Sequence, residues 1–335
     1  MGGHGADRKR QGHYANGRAG DALPRRAPAS GWHLDRGRIY RDRFSEALLH
    51  QLSSLSKLLP PHGPCSLSSG LGRGYVGLTC IALVVALPRE LPAGLVRLPE
   101  RQRGEFRGMK VYRWVTAYCQ VVAAQSGMGC ARAAASAHLL IRHFAPQTLI
   151  SFGFAGGLDP ELRRGTIVIG DQVLADEAPG FRYQSPPELI ETWYAAANAE
   201  HLPVHRGSVV TVKHAVSDPA CKMALAQRTD ACAVDMESAG VAEVARKIGI
   251  PCMALRAIVD TATEVLPMVA LDVVRQDGVV EGRRLLGACW QSPALWRHLL
   301  WLGWHAAMAR RHLDRTLKRW VMGGGPAGTQ ERGWA

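Results

Sequence analysis

The chain has no CxxC pair and no histidine at zinc-ligand spacing from its eight cysteines, which argues against a zinc site and against a disulfide framework. Those cysteines lie mostly inside apolar runs and read as reduced, buried, small side chains of a cytoplasmic protein. It also lacks any apolar run of the roughly 18 residues that a membrane-crossing helix needs. The stretch from Val76 to Leu87 follows Arg73 and has the composition of a secretory core, but it lies deep in the chain and runs into Pro88-Arg89-Glu90. It reads as a buried first strand. Acid is scarce at both ends: residues 1–74 hold 12 basic and 5 acidic side chains, residues 281–335 hold 9 and 3, and residues 75–280 hold 20 of each. The formal charge of +13 therefore belongs to the ends. A neutral middle argues against a nucleic-acid groove across the core.

What is present suits a globular enzyme. A chain of 335 residues, 47% of them apolar, can bury a sizeable core in one large or two modest domains. Residues 1–74 are rich in Gly, Arg, His, Pro and Ser, with one helical-looking piece from Phe44 to Leu59; they read as a disordered or non-native extension. A catalytic domain is expected over 75–285, an amphipathic helical segment over 286–322, and a disordered tail over 323–335. Within the domain, Val111–Ala117 and Gln120–Ala124 read as a hairpin pair, followed by a Gly-rich turn, Ser126-Gly127-Met128-Gly129, and an Ala-rich helix from Ala131 to His143. Thr148–Phe152 reads as a strand ending at Gly153-Phe154-Ala155-Gly156-Gly157, and Gly165–Val173 as another. A helix around Leu189–Ala197, a strand Ser208–Val212 and a helix Pro219–Arg228 complete the pattern. Alternating strands and helices predict a single three-layer α/β domain with a mostly parallel mixed central sheet, plus the C-terminal helical tail.

Two acids stand out. Ala233-Val234-Asp235-Met236-Glu237-Ser238-Ala239-Gly240 runs from a short apolar strand into a helix marked by Val241, Val244, Ala245 and Ile248. Glu237 then falls in the first helical turn, where the helix dipole favours an anion, at the carboxyl end of a sheet strand. Leu255-Arg256-Ala257-Ile258-Val259-Asp260 repeats the arrangement, an apolar strand with an acid at its end. An acid in a first helical turn is more often a dipole or capping residue than a catalytic one, and spacing alone does not decide; the catalytic alternative has both carboxylates opening onto one crevice, exposed rather than packed.

These segments, taken in order, resemble the purine nucleoside phosphorylase and methylthioadenosine/S-adenosylhomocysteine nucleosidase superfamily over residues 80–285. The resemblance rests on Ala86 to Glu90, on Ser126-Gly127-Met128-Gly129, and on Phe152-Gly153-Phe154-Ala155-Gly156-Gly157-Leu158 with Arg164-Gly165-Thr166-Ile167-Val168. It also rests on Val234-Asp235-Met236-Glu237-Ser238 and on Arg256-Ala257-Ile258-Val259-Asp260-Thr261-Ala262. Gly153 through Pro160, the Asp235-Met236-Glu237 motif and the Leu-, Trp- and Arg-rich tail look most like the hopanoid-associated branch. That branch implies release of adenine from adenosylhopane, giving ribosylhopane or its 1-phosphate.

By the same resemblance Asp260 protonates or hydrogen-bonds the purine at N7, Glu237 accepts from the ribose hydroxyls, and Glu90 positions and deprotonates the attacking water. Met236 packs beneath the sugar, Ser126 and Gly129 line the anomeric side, Gly156 approaches the ligand, and His214 with Ala215 stands against the base. Val259 occupies the place where a serine often orients the acid, so something else must hold Asp260. No cofactor is implied beyond inorganic phosphate as a candidate co-substrate, which a basic residue such as Arg89 could admit. The resemblance implies a homo-oligomer. Trp296, Trp301 and Trp304, followed by Arg310, Arg311, Arg315, Lys318 and Arg319, have the composition of a helix at an anionic membrane surface, which would place the protein at the inner face of the membrane. A core-packed helix with a solvated basic end is the competing expectation. Two other functions are kept: a nucleosidase for soluble methylthioadenosine or S-adenosylhomocysteine, and a non-catalytic membrane-associated ligand-binding protein.

Overall fold

A computed structural model describes residues 79–96, 103–106, 108–266 and 293–323. The expected extension over 1–74, its helix at 44–59 and the tail beyond 323 lie outside the described residues.

The first strand, β1 (Thr79–Val85), is apolar at nearly every position, because both faces of a central parallel strand are covered. After it come a short helix, α1 (Ala93–Val96), and the strands β2 (Arg103–Phe106), β3 (Met109–Val115) and β4 (Cys119–Gln125). The hairpin read from the sequence is present: β3 and β4 pair antiparallel from Lys110 opposite Gln125 to Val115 opposite Gln120. Helix α2 (Cys130–Phe144) stops at Ala145, which adopts a left-handed conformation and returns its N–H to Ile141. Then follow β5 (Thr148–Gly157), β6 (Ile167–Ala175), β7 (Arg182–Gln184), α3 (Pro187–Ala199) and β8 (Val204–Thr211). Helix α4 (Pro219–Thr229) begins where the Asp218 carboxylate accepts the N–H groups of Ala220 and Cys221, with proline at the first helical position. The chain continues through β9 (Ala233–Asp235), α5 (Ser238–Ile248), β10 (Cys252–Asp260) and α6 (Pro293–Met322).

The sheet has ten strands in the order β10-β6-β8-β9-β5-β1-β4-β3-β2, with β7 beside β6. Strand β5 pairs with β10 as well, so β5, β10, β6, β8 and β9 close into a ring. Strand β5 departs from the sequence reading. It does not end at Phe152 but runs through the glycines to Gly157, held by β10 on one side and, at Gly156 and Gly157, by β9 on the other.

Helices α2 and α5 cover one face of the sheet. Gly240 of α5 lies so close to Cys130 of α2 that a Cβ would strike the Cys130 carbonyl, which sets the separation of the two helices. Helices α3 and α6 cover the other face, where Ile190, Trp193, Leu313, Leu317 and Trp320 join the interior. The Trp193 and Trp320 rings stack at 4.7 Å. The second half of α6 is thus a core helix, with Ala309, Leu313, Leu317 and Val321 fully buried. Its cations are partly neutralised by Arg315 to Glu200 at 2.9 Å and Lys318 to Asp314 at 2.7 Å. Among the described residues no helix is long and apolar enough to cross a membrane.

Candidate active site

The closed ring brings together strand ends that lie far apart in sequence. Glu90 stands in the turn that follows β1. Its Oε2 accepts the N–H of Leu87 at 2.7 Å, and its Oε1 reaches across to the N–H of Phe154 on β5 at 2.8 Å. Glu237 caps the N-terminus of α5 and does not lie inside its first turn. Its Oε1 accepts the N–H of Gly129 at 2.9 Å, and Gly129 itself caps α2 with φ of 102°, a conformation costly for any side chain. The Glu237 carboxylate thus serves the amino end of α2, while the N–H groups of Glu237 and Ser238 at the start of α5 donate to Asp235.

Between these acids lies Arg256 of β10, 1% exposed. Its Nη2 is 2.5 Å from Asp235 and 3.9 Å from Glu237, and donates to Ser151 Oγ at 2.6 Å and Ser238 Oγ at 3.0 Å. Asp235 also accepts from Thr211 Oγ1 at 2.7 Å and from the Ser238 hydroxyl. A Cβ on Gly153 would fall 2.6 Å from Glu90 Oε1 and 2.7 Å from Arg256 Nη1, so any side chain there must displace both. The sequence hint to Arg256 was an arginine in the middle of an otherwise apolar strand, which burial tolerates only with partners.

Asp260 lies at the other end of the same stretch. It is 2% exposed, and a Cβ on Gly156 would come within 3.1 Å of its Oδ2. Gly153 and Gly156 lie about 10 Å apart along β5, so Glu90 with Arg256, and Asp260, meet the same strand at separate points. The residue that holds Asp260 in place of the absent serine is Lys222 of α4, fully buried, with Nζ 2.5 Å from Oδ2. The only clue to Lys222 in the sequence was its position three residues before Leu225, on the apolar face of its helix.

The acids were expected to be open to the crevice; Glu90, Glu237 and Asp260 are instead all buried. Desolvation, which disfavours the charged form, is the largest influence on each. Burial pushes the Glu90 carboxyl up against the pull of Arg256. It pushes Glu237 up to about 7, helped by Asp235 and Glu90 and opposed by Arg256 and the Gly129 N–H. It pushes Asp260 up against Lys222 and Arg164.

The remaining sequence candidates divide. Ser126 is buried, with its hydroxyl bonded to Gly127 O at 2.7 Å. Met236 is half-buried against Val234 and its neighbours. His214 and Ala215 are exposed in the segment between β8 and α4, and neither hydrogen-bonds an acid among the described residues. That segment is tied to the loop after Asp260 by the Leu266 N–H donating to Ser217 at 3.1 Å. Arg89 is exposed.

A mixed α/β sheet closed around strand-end carboxylates is the architecture of nucleoside phosphorylases and nucleosidases. The chain aligns with the 5'-methylthioadenosine/S-adenosylhomocysteine nucleosidase of Neisseria meningitidis in complex with methylthio-immucillin-A at a TM-score of 0.56 and 22% identity, over 73% of this chain and 99% of the other. It aligns with the futalosine hydrolase of Helicobacter pylori at 0.54 and 19%, over 72% and 98%. In sequence it is 30% identical over 199 residues to the 5'-methylthioadenosine/S-adenosylhomocysteine nucleosidase of Geobacillus thermodenitrificans, covering 55% of this chain and 84% of the relative. It is 37% identical over 163 residues to the protein of the same name in a Marinomonas species, covering 44% and 71%. Residues 80–270 match the Phosphorylase superfamily, more than half of the chain, and the protein belongs to that family. It is an enzyme of the class that cleaves N-glycosidic bonds.

Proposed function

We propose that the protein hydrolyses the N-glycosidic bond of an adenosine-bearing hopanoid, adenosylhopane, releasing adenine and leaving ribosylhopane. The observation that carries the reading is three buried carboxylates on neighbouring strand ends, Glu90 at Gly153 and Asp260 at Gly156 of β5, and Glu237 across Arg256 from Glu90. Cleavage passes through an oxocarbenium-like sugar. Asp260, its proton held by burial, donates to the departing purine at N7. Glu237 accepts from the ribose hydroxyls, and its negative charge stabilises the cation. Met236 packs under the sugar. Glu90, fixed by two backbone N–H groups, takes a proton from the water that attacks C1'.

Electrostatics favours water over phosphate as acceptor. Arg256 is the one guanidinium that touches this group among the described residues, and Asp235, Glu237 and Glu90 already surround it. A phosphate dianion would meet a surplus of negative charge. At an effective dielectric of about 20, each like-charge pair some 5 Å apart costs about 3 kcal/mol.

The lipid part of the reading rests on the first half of α6. Arg164 lies 4.3 Å from the Trp301 ring centre and bonds to Glu264, in the loop that follows Asp260. Trp304, one turn on, is 65% exposed, and Val265 in that loop is 67% exposed. Exposed apolar side chains thus stand on α6 and on the loop after Asp260, the composition of a surface that rests on a bilayer. Hydrolysis of soluble methylthioadenosine or S-adenosylhomocysteine is supported as much by the names of the relatives. Adenine release from methylthioadenosine and from adenosylhopane in anionic liposomes, each with and without phosphate, separates the readings. The lipid reading predicts phosphate-independent release from the liposomes. Fast turnover of methylthioadenosine alone would overturn it.

A further inference from the structure

A carboxyl that protonates a leaving group must carry its proton on the oxygen that faces the base. In Asp260 the two oxygens are not equivalent. Oδ2 takes the Lys222 ammonium at 2.5 Å, whereas none of the hydrogen bonds among the described residues reaches Oδ1. The ammonium is itself fully used, since it also donates to the Thr261 carbonyl at 2.7 Å and the Glu264 carbonyl at 3.1 Å, with no exposed surface. Two other charged side chains face this corner. Arg164 acts on Asp260 from the segment before β6, and the Glu264 carboxylate is taken up by Arg164 and by the Thr261 N–H at 2.9 Å. On the β5 side the neighbour is Gly156, and on the β9 side Val234, both uncharged.

We propose that Lys222 is the positioning residue of the leaving-group acid: it occupies Oδ2, so the transferable proton rides on Oδ1, and it stabilises the carboxylate left once that proton has gone. The proposal rests on the nucleoside reading above and adds a residue to it. The step balances simply. The C1'–N9 bond breaks with its electron pair passing into the base, the Oδ1 proton moves to N7, and Asp260 is left as a carboxylate paired with the ammonium. Water then adds to C1' and loses a proton to Glu90. A charge 2.5 Å from the acid makes it stronger during transfer, at the moment when base and carboxyl share the proton. Lys222 touches neither the substrate nor the reacting atoms.

The test compares wild type with Lys222→Met and Lys222→Arg across pH. Two substrates are used: whichever nucleoside wild type turns over, methylthioadenosine or liposome-borne adenosylhopane, and 4-nitrophenyl riboside, whose leaving group needs no proton. Without the ammonium Asp260 is a weaker acid. Lys222→Met is therefore expected to lower kcat on the nucleoside on the order of tenfold to a hundredfold, with KM little changed. Its alkaline limb should move to higher pH, and its rate on the nitrophenyl riboside should be retained. Lys222→Arg keeps the charge and should leave the limb where wild type has it, which keeps the test decisive if the Met variant does not fold. Equal losses on both substrates, or an alkaline limb that stays in place in Lys222→Met, would reduce Lys222 to a strap for the 261–264 loop and overturn the proposal. Absence of base release by wild type would overturn the functional reading itself, a different result from wild-type turnover with an unmoved variant profile.

Discussion

Replacing Glu237 by glutamine should make the protein more stable at alkaline pH while abolishing turnover. Glu237 is 7% exposed, and burial raises its carboxyl from 4.5 to about 7. A group whose proton is held more tightly in the folded state contributes stability below its unfolded value and loses it as pH rises through the folded one. For Glu237 that window runs from 4.5 to about 7. At 1.36 kcal/mol per pH unit, ionised Glu237 costs the folded state about 3 kcal/mol above the window. Glutamine keeps the shape and carries no charge. The stability of Glu237→Gln minus that of wild type should therefore grow by about 3 kcal/mol between pH 4.5 and pH 8, or about 6–12 °C in Tm for a domain of this size. Taking the difference cancels any constant effect of the amide on Gly129 or Arg256. Urea titrations at four pH values across the window, with adenine release measured on the same samples, give both numbers. A difference that is flat or falls with pH would refute the claim that desolvation outweighs the favourable groups around this carboxylate.

Three further outcomes follow from the same contacts. Asp260→Asn should stop base release while changing stability by less than about 1 kcal/mol, because the amide oxygen still accepts from Lys222 as the protonated carboxyl does; thermal melts and turnover on the same samples check this, and a loss of about 3–5 kcal/mol would mean that Asp260 is ionised beside the ammonium. Gly153→Ala should cost about 1–3 kcal/mol, since its Cβ displaces both Glu90 and Arg256; turnover should fall with it, and near-normal kcat would mean that the contact relaxes freely. Trp320→Ala removes a buried ring stacked on Trp193 and should cost about 3–5 kcal/mol by chemical denaturation, whereas a loss below about 1 kcal/mol would mean that α6 is not part of the core.

Much of this arrangement was legible in the chain. The apolar runs that became β1 and β10, the turn at Ser126-Gly127-Met128-Gly129, and the acids at 237 and 260 are local signals, and the elements appear within a few residues of where the patterns put them. What escaped is long-range. Nothing in Thr148–Gly157 announced that its glycines stay in strand conformation, because glycine is a poor strand former and is kept there by pairing with β9 and β10 on either side. The burial of the acids was hidden for the same reason, since whether a carboxylate is open or covered depends on which other strands close over it. Lys222 was invisible as a partner because 38 residues separate it from Asp260. Helix α6 carries a mixed pattern: its tryptophans and arginines suggested a surface helix, but Leu313, Leu317 and Trp320 on one face belong inside.

The spacing between the Glu90–Arg256 contact and the Asp260 contact is counted in residues of a single strand, β5, which pairs with β10 along this stretch. An inserted or deleted residue between Gly153 and Gly156 would turn later side chains to the wrong face and move one end away from the other, with no loop nearby to absorb the change. Inserted residues are absorbed more readily at the perimeter, in the segments around residues 213–218 and 261–266. A descendant of this scaffold can reshape the rim of the site far more readily than it can change the spacing along β5.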